Sequence, residues 1–111
     1  MNGLITVAET SLFVRQSEAV WKSEERLEFI DFIASNPEVG DIIPGAGGVR
    51  KVRWSRQASG KRGGVRVIYF YHNTEIPLYL LMVYAKARQE NLSADEARVV
   101  RDLVAIISGK R

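Results

Sequence analysis

The chain has 111 residues, 46% of them apolar and 26% charged, enough for one domain burying roughly two-thirds of its unfolded surface. It contains no cysteine, which removes disulfides, thiolate nucleophiles and cysteine-based zinc sites. The formal net charge of +3 conceals an asymmetry: residues 1–48 hold eight acids against three bases, and residues 49–111 hold thirteen bases against five acids. Between Val49 and Arg88 the only acid is Glu75. Such a field attracts polyanions, although a merely solvated basic face is the plainer alternative. No apolar run reaches the ~20 residues of a membrane span, and the N-terminus lacks a basic start followed by an apolar stretch, so the expected location is the cytoplasm.

In chain order, "LITVAET" (4–10) alternates enough for a short strand, and Thr10 or Ser11 can cap a short helix over "LFVRQSEAVW". "SEERLEFIDFIASNPEVG" predicts a second helix, with Ser23 as N-cap and Glu24 and Glu25 in the first turn, where the helix dipole favours negative charge. Leu27, Ile30 and Ala34, with Phe29 and Ile33, form its apolar stripe, and Pro37 ends it near Asn36. "GDIIPGAGG" is a turn-rich connector without a regular period.

Three strands follow. "VRKVRWS" alternates Val52 and Trp54 against Lys51 and Arg53, "GVRVIYFYH" is rich in β-branched and aromatic residues, and "NTEI" (73–76) reads as a hairpin turn. "PLYLLMVYAK" is nearly continuously apolar and is expected to be the central, most buried strand. A last helix begins at Ser93, which has capping-box spacing to Glu96, runs through Ala97, Val100, Leu103, Val104 and Ile107, and ends by Gly109. The expected fold is a single α+β domain over residues 1–111: a small twisted antiparallel sheet with N-terminal helices and a C-terminal helix, the helices covering one face.

Residues 45–71, "GAGGVRKVRWSRQASGKRGGVRVIYFY", carry seven Lys or Arg and no acid. Strand alternation places Lys51 with Arg53 on one face, and Tyr84 with Lys86. "GKRGG" (60–64) lets backbone amides approach a phosphate closely, but it lacks the spacing and following helix of a nucleotide-binding P-loop. Trp54, Tyr69, Tyr71, Tyr79 and Tyr84 are interleaved with the cations and suit stacking on unpaired bases, against a strong expectation that most of them are core. His72 is the sole histidine, beside the hairpin turn, and without a neighbouring carboxylate or cysteine pattern it makes no metal site. Neither a paired-carboxylate hydrolase nor a Ser-His-Asp arrangement is legible, so any chemistry falls to Lys, Arg and Tyr.

"NPEVGDIIPGAGGVRKVRW", "SGKRGGVRVIYFY", "LLMVYAK" and "LSADEARVVRDLV" together resemble the RelE/HigB-type toxins of bacterial type II toxin–antitoxin systems, over about residues 27 to 107 and in the right order. The likeness is greatest to the HigB-like branch. It implies a RelE-like fold and a ribosome-dependent mRNA endonuclease that cuts the A-site codon by attack of a 2′-hydroxyl on the adjacent phosphate, with no cofactor and no metal. Carried over by motif, the catalytic candidates are Lys51, Arg53, Arg66, Tyr84 and Lys86. The RNA-binding candidates are Arg50, Arg56, Lys61, Arg62 and Arg88. Other members end the last strand with adjacent Lys-Arg or a His, whereas this chain reads "AKARQE", so the arginine's role falls to either Arg88 or Lys86. Crowding by like charges favours a neutral amine, which makes Lys51 or Lys86 the expected base. The resemblance also implies a cognate antitoxin, a HigA-like helix-turn-helix protein, besides the ribosome and mRNA as partners, and no membrane. The acidic, helical N-terminal half is a candidate docking surface for the antitoxin. The alternatives are a ParE-like gyrase inhibitor that binds a protein without cutting RNA, and an RNA-binding domain without catalysis.

Overall fold

The computed structural model describes residues 5–55, 64–89 and 91–109. The elements run β1 (Val7–Glu9), α1 (Ser11–Val20), α2 (Ser23–Ser35), β2 (Asp41–Ile42), β3 (Val49–Trp54), β4 (Val65–Phe70), β5 (Leu78–Ala85) and α3 (Ala94–Ile107). The strands form one sheet in the order β1-β5-β4-β3-β2. The α+β architecture is as expected, with two differences in the sheet. It is mixed rather than wholly antiparallel, because β1 pairs parallel to β5 through Val7 and Leu78. The central strand is β4, buried at all six positions, and not β5.

The helices begin where side chains satisfy their first amides. Thr10 Oγ1 accepts from Phe13 N–H at 3.1 Å and donates to the Leu80 carbonyl at 2.9 Å, so one hydroxyl both caps α1 and ties it to β5. Beyond the end of β1, the exposed edge of β5 is met by α1 itself: Gln16 Oε1 accepts from Val83 N–H at 3.0 Å. α2 starts one residue before the expected cap, at Lys22, whose N–H donates to Glu25 Oε1 at 3.4 Å. Phe29, Ile33 and Ala34 are its buried residues, whereas Leu27 is 60% exposed. Leu27 lies only about 20° around the helix from buried Ala34, so its exposure is not set by its angle on the helix. At α3, Ser93 Oγ accepts from Glu96 N–H at 3.1 Å while Glu96 Oε1 accepts from Ser93 N–H at 2.9 Å, the expected reciprocal box.

Helices cover both sheet faces, not one. On the first face Phe13, Trp21, Phe29 and Ile33 from α1 and α2 pack on Val52, Val65, Val67, Tyr69, Leu78, Leu80 and Val83. On the second, Val100 and Val104 of α3 pack on Val49, Ile68, Phe70, Leu81, Met82 and Tyr84. The register explains why β5 feeds both clusters so densely: Ile68 pairs with Met82 but Tyr69 with Leu80, leaving Leu81 as an extra bulge residue. The bulge sends Leu81 and Met82, adjacent in sequence, into the same α3 cluster. The turn-rich connector holds the two-residue strand β2, which pairs Asp41 with Lys51 and Ile42 with Arg50. It is seated by Tyr69, whose hydroxyl accepts from Gly40 N–H at 2.8 Å and donates to the Pro37 carbonyl at 2.9 Å. Burial pushes the Tyr69 phenol above its ordinary pKa, against a smaller lowering by the Gly40 hydrogen bond. The turn at 73–76 is closed by Glu75 N–H donating to Asn73 Oδ1 at 2.9 Å.

Among the described residues no helix is long and apolar enough to cross a membrane.

Candidate active site

Cross-strand register builds the site. Arg53 of β3 pairs with Arg66 of β4, and Arg66 pairs with Tyr84 of β5. Directly paired residues stand on one side of the pleat, so these three form a row across three adjacent strands, each step about 4.7–4.9 Å. Lys51 lies two residues from Arg53 on the same face, opposite Ile68. Past the end of β5 the Lys86 amide donates to the Gly64 carbonyl at 3.1 Å, extending the ladder by one bond and placing Lys86 two positions beyond Tyr84. Lys51, Arg53, Arg66, Tyr84 and Lys86 thus share one face at one end of the sheet. The opposite end of that face, at Val49 and Phe70, is closed by α3.

Burial divides the group into floor and rim. Arg66 and Tyr84 are each 6% exposed, while Arg53 and Lys86 are exposed and Lys51 is half-buried. A guanidinium stays charged, so a buried arginine in this position holds a fixed positive charge beneath the more exposed ones that flank it. Two arginines directly opposite each other on neighbouring strands oppose pairing, and among the described strand pairs this is the one place where like charges face each other. The geometry at the entrance to β4 requires glycine: Gly64 has φ +65°, and a Cβ there would lie 2.3 Å from the Trp54 carbonyl oxygen. Gly64 therefore brings the ends of β3 and β4 together two residues before Arg66.

The remaining candidates are distributed differently. Arg50 lies on the other face, opposite Tyr69, and its Nη1 donates to the carbonyls of Glu38 at 3.0 Å and Gly40 at 2.8 Å. It ties down the α2–β2 connection and does not join the row. Arg88 is exposed beside the row, lining with Tyr84, Gln16, Gln89 and Glu96 a cavity of about 200 Å³. Arg56, Lys61 and Arg62 lie outside the described residues. Of the five interleaved aromatics, Trp54, Tyr69 and Tyr71 pack into or against the α1/α2 cluster and Tyr79 against the α3 cluster. Only Tyr84 stands in the cationic row.

The turn from β5 to α3 adds residues that sequence reading missed. Lys51 Nζ donates to Asn91 Oδ1 at 3.0 Å. Gln89 Nε2 donates both to the Asn91 carbonyl at 3.0 Å and to Glu96 Oε1 at 2.9 Å. Hydrogen bonds from the Ser93 backbone first, then from Gln89, hold the Glu96 carboxyl below its ordinary pKa. Nothing in a one-dimensional pattern couples Lys51 to an asparagine forty positions away.

A solved structure of the E. coli toxin RelE in its free state, carrying two arginine-to-alanine substitutions, is similar in fold: the TM-score is 0.60 at 13% identity, over 87% of this chain and 97% of that one. The sequence profile of the family described as the RelE toxin of the RelE/RelB toxin–antitoxin system matches residues 35–110, more than half of the chain. That span takes in the glycine-bracketed basic segment, all three strands of the cationic row and α3. By that match the chain belongs to the RelE toxin family.

Proposed function

We propose that this toxin is a ribosome-dependent mRNA endonuclease whose site is the row Arg53–Arg66–Tyr84 with Lys51 and Lys86 beside it. The observation that carries the reading is the register itself: guanidinium groups on two strands and a tyrosine on a third meet on one face, with Lys51 on the same face and Lys86 at its end. An RNA phosphodiester needs little more. The 2′-oxygen forms a bond to phosphorus as its proton passes to a base, and the bond from phosphorus to the 5′-oxygen breaks as that oxygen takes up a proton. The products are a 2′,3′-cyclic phosphate and a 5′-hydroxyl end.

Charge accumulates on the non-bridging oxygens as the phosphorane forms, and fixed donors there lower the barrier most. Arg66, buried and permanently charged, supplies that stabilisation; Arg53 supports it from the adjacent strand. Lys51 and Lys86, at the two ends of the group, serve the proton transfers. Tyr84, packed in the α3 cluster, forms the floor of the row beside Arg66. Arg88 and the segment containing Arg56, Lys61 and Arg62 hold the flanking backbone. No cofactor or metal enters this scheme. The partners are the ribosome with its mRNA, and a cognate antitoxin, a HigA-like helix-turn-helix protein; the cytoplasm is where those partners meet.

Mapping of mRNA 5′ ends after brief expression in bacteria tests the reading. Cuts within codons, in frame, are expected. DNA double-strand breaks without mRNA cuts would replace it with the gyrase-inhibitor reading, and RNA retention without cleavage would reduce it to a binding domain.

A further inference from the structure

We propose that Asn91 is a positioning residue for Lys51, and that the β5–α3 turn exists in its observed form to hold that lysine's amine over the site. This rests on the site proposed above. Lysine carries a compact charge on a four-carbon stem with free rotation, so an amine on an open strand face samples many positions. Here Lys51 is half-buried and its Nζ reaches across the sheet to Asn91 Oδ1 at 3.0 Å.

The partner's chemistry matters. An amide oxygen orients an ammonium without cancelling its charge, whereas a carboxylate in the same place would neutralise the field that the substrate phosphate needs. Asn91 in turn is not left to itself. Gln89 Nε2 donates to the Asn91 carbonyl at 3.0 Å and to Glu96 Oε1 at 2.9 Å, and the same Glu96 oxygen accepts from Ser93 N–H. One carboxylate oxygen therefore anchors the first turn of α3, the Gln89 side chain and, through it, the backbone of Asn91. Gln89 is itself fixed to the end of β5 by its N–H donating to the Ala85 carbonyl at 3.4 Å. The chain of contacts runs from α3 through Glu96, Gln89 and Asn91 to the amine of a residue on β3. The two ends of the site, Lys51 on β3 and Tyr84 and Lys86 at the close of β5, are thereby spaced by a turn that belongs to neither strand.

The test uses the full chain. In solution, the side-chain ammonium of Lys51 is observed by NMR with ¹⁵N-labelled protein, and cleavage is measured on purified ribosomes stalled on a defined mRNA. The wild-type Lys51 ammonium should be ordered relative to other lysines, and Asn91→Ala should release it while leaving the fold's amide spectrum otherwise intact. On the ribosome Asn91→Ala should lower kcat by about tenfold to 10²-fold with KM unchanged, the scale of loss expected from a misplaced reacting group. The same substitution in a Lys51→Ala background should have no further effect. Asn91→Asp should keep the amine ordered yet fail to restore the rate. Gln89→Ala should act in the same direction as Asn91→Ala, more weakly. An ammonium as ordered in Asn91→Ala as in wild type would overturn the proposal, and so would independent, additive losses from Asn91→Ala and Lys51→Ala. A Lys51→Ala protein as active as wild type would overturn it together with the role given to Lys51. If wild-type protein cuts no ribosome-bound mRNA, the functional reading falls and the ammonium signal alone decides for or against the contact.

Discussion

The two faces of the sheet are built from the same three strands and lead opposite lives. The face under α1 and α2 is apolar from Val52 and Val65 to Leu78, and its one cation on β3, Arg50, is bonded to the carbonyls of Glu38 and Gly40. The face under α3 is apolar at Val49 and Phe70 and again at Ile68 and Met82, with Lys51 opposite Ile68, and ends in the pair Arg53–Arg66 beside Tyr84, which still packs in that cluster. One face secures the fold. The other packs under α3 over most of its length and ends in a row of like charges, Arg66 buried and Arg53 exposed, placed where they oppose strand pairing. The lesson is that a small domain can maintain a costly cationic row when the opposite face supplies an unbroken core beneath the same backbone.

Substitutions should separate the two faces. The largest loss of stability is expected on the closed face: Phe29, fully buried and in ring contact with Trp21, Phe32 and Trp54, should cost about 3–5 kcal/mol as Phe29→Ala. Chemical denaturation would read this as a lower midpoint, and cleavage should fall only as the folded fraction falls. On the open face the loss should be in rate. Arg66→Ala should reduce cleavage on translating ribosomes by about 10²–10³-fold, equivalent to about 2.7–4 kcal/mol of transition-state stabilisation, while circular dichroism still reports a folded chain.

Next in size is Tyr69→Phe, which removes the acceptor of Gly40 N–H and the donor to Pro37 beneath the α2–β2 connection. A drop of about 1–3 kcal/mol in unfolding free energy is expected, without a direct effect on the row. The smallest effect is pH-dependent. The Glu96 carboxyl is held below its ordinary pKa in the folded chain, so its contribution to stability is complete above the unfolded value and is lost as the pH falls through the lowered folded one. Thermal melts of wild type and Glu96→Gln should differ at neutral pH and converge in acid; a gap that persists undiminished would show that the carboxylate charge is not what holds the turn.

Much of this arrangement is legible in the sequence because it rests on local chemistry. Thr10 and the Ser93–Glu96 pair announce their helices by capping, and the alternation of Lys51, Val52, Arg53 and Trp54 assigns each to its face. The same alternation places Arg50 away from Lys51, and the structure shows what occupies it there: two backbone carbonyls of the α2–β2 connection. What the sequence does not display are relations set by three-dimensional neighbours. A three-residue strand such as β1 has no feature that distinguishes parallel from antiparallel pairing, and its direction follows from where α1 must pack. The run "LYLLMVYA" is as apolar as a central strand because its bulge feeds two residues to one cluster, although β4 holds the centre. Leu27 fits both the apolar count and the angle of the stripe, yet among the described residues nothing packs over it and it stays exposed. The Lys51–Asn91–Gln89–Glu96 chain joins β3 to α3 through side-chain amides, residue types that carry no periodic signal.

The central claim is that the cationic row breaks RNA by chemistry supplied from its own side chains. It is tested most directly by incubating wild-type and Arg66→Ala protein with purified ribosomes halted on a defined message and identifying the chemistry of the new RNA ends. The account predicts cuts within the A-site codon bearing 2′,3′-cyclic phosphate and 5′-hydroxyl ends with the wild-type protein, and almost none with Arg66→Ala. Uncut message with wild-type protein, or equal cutting by both proteins, would contradict it.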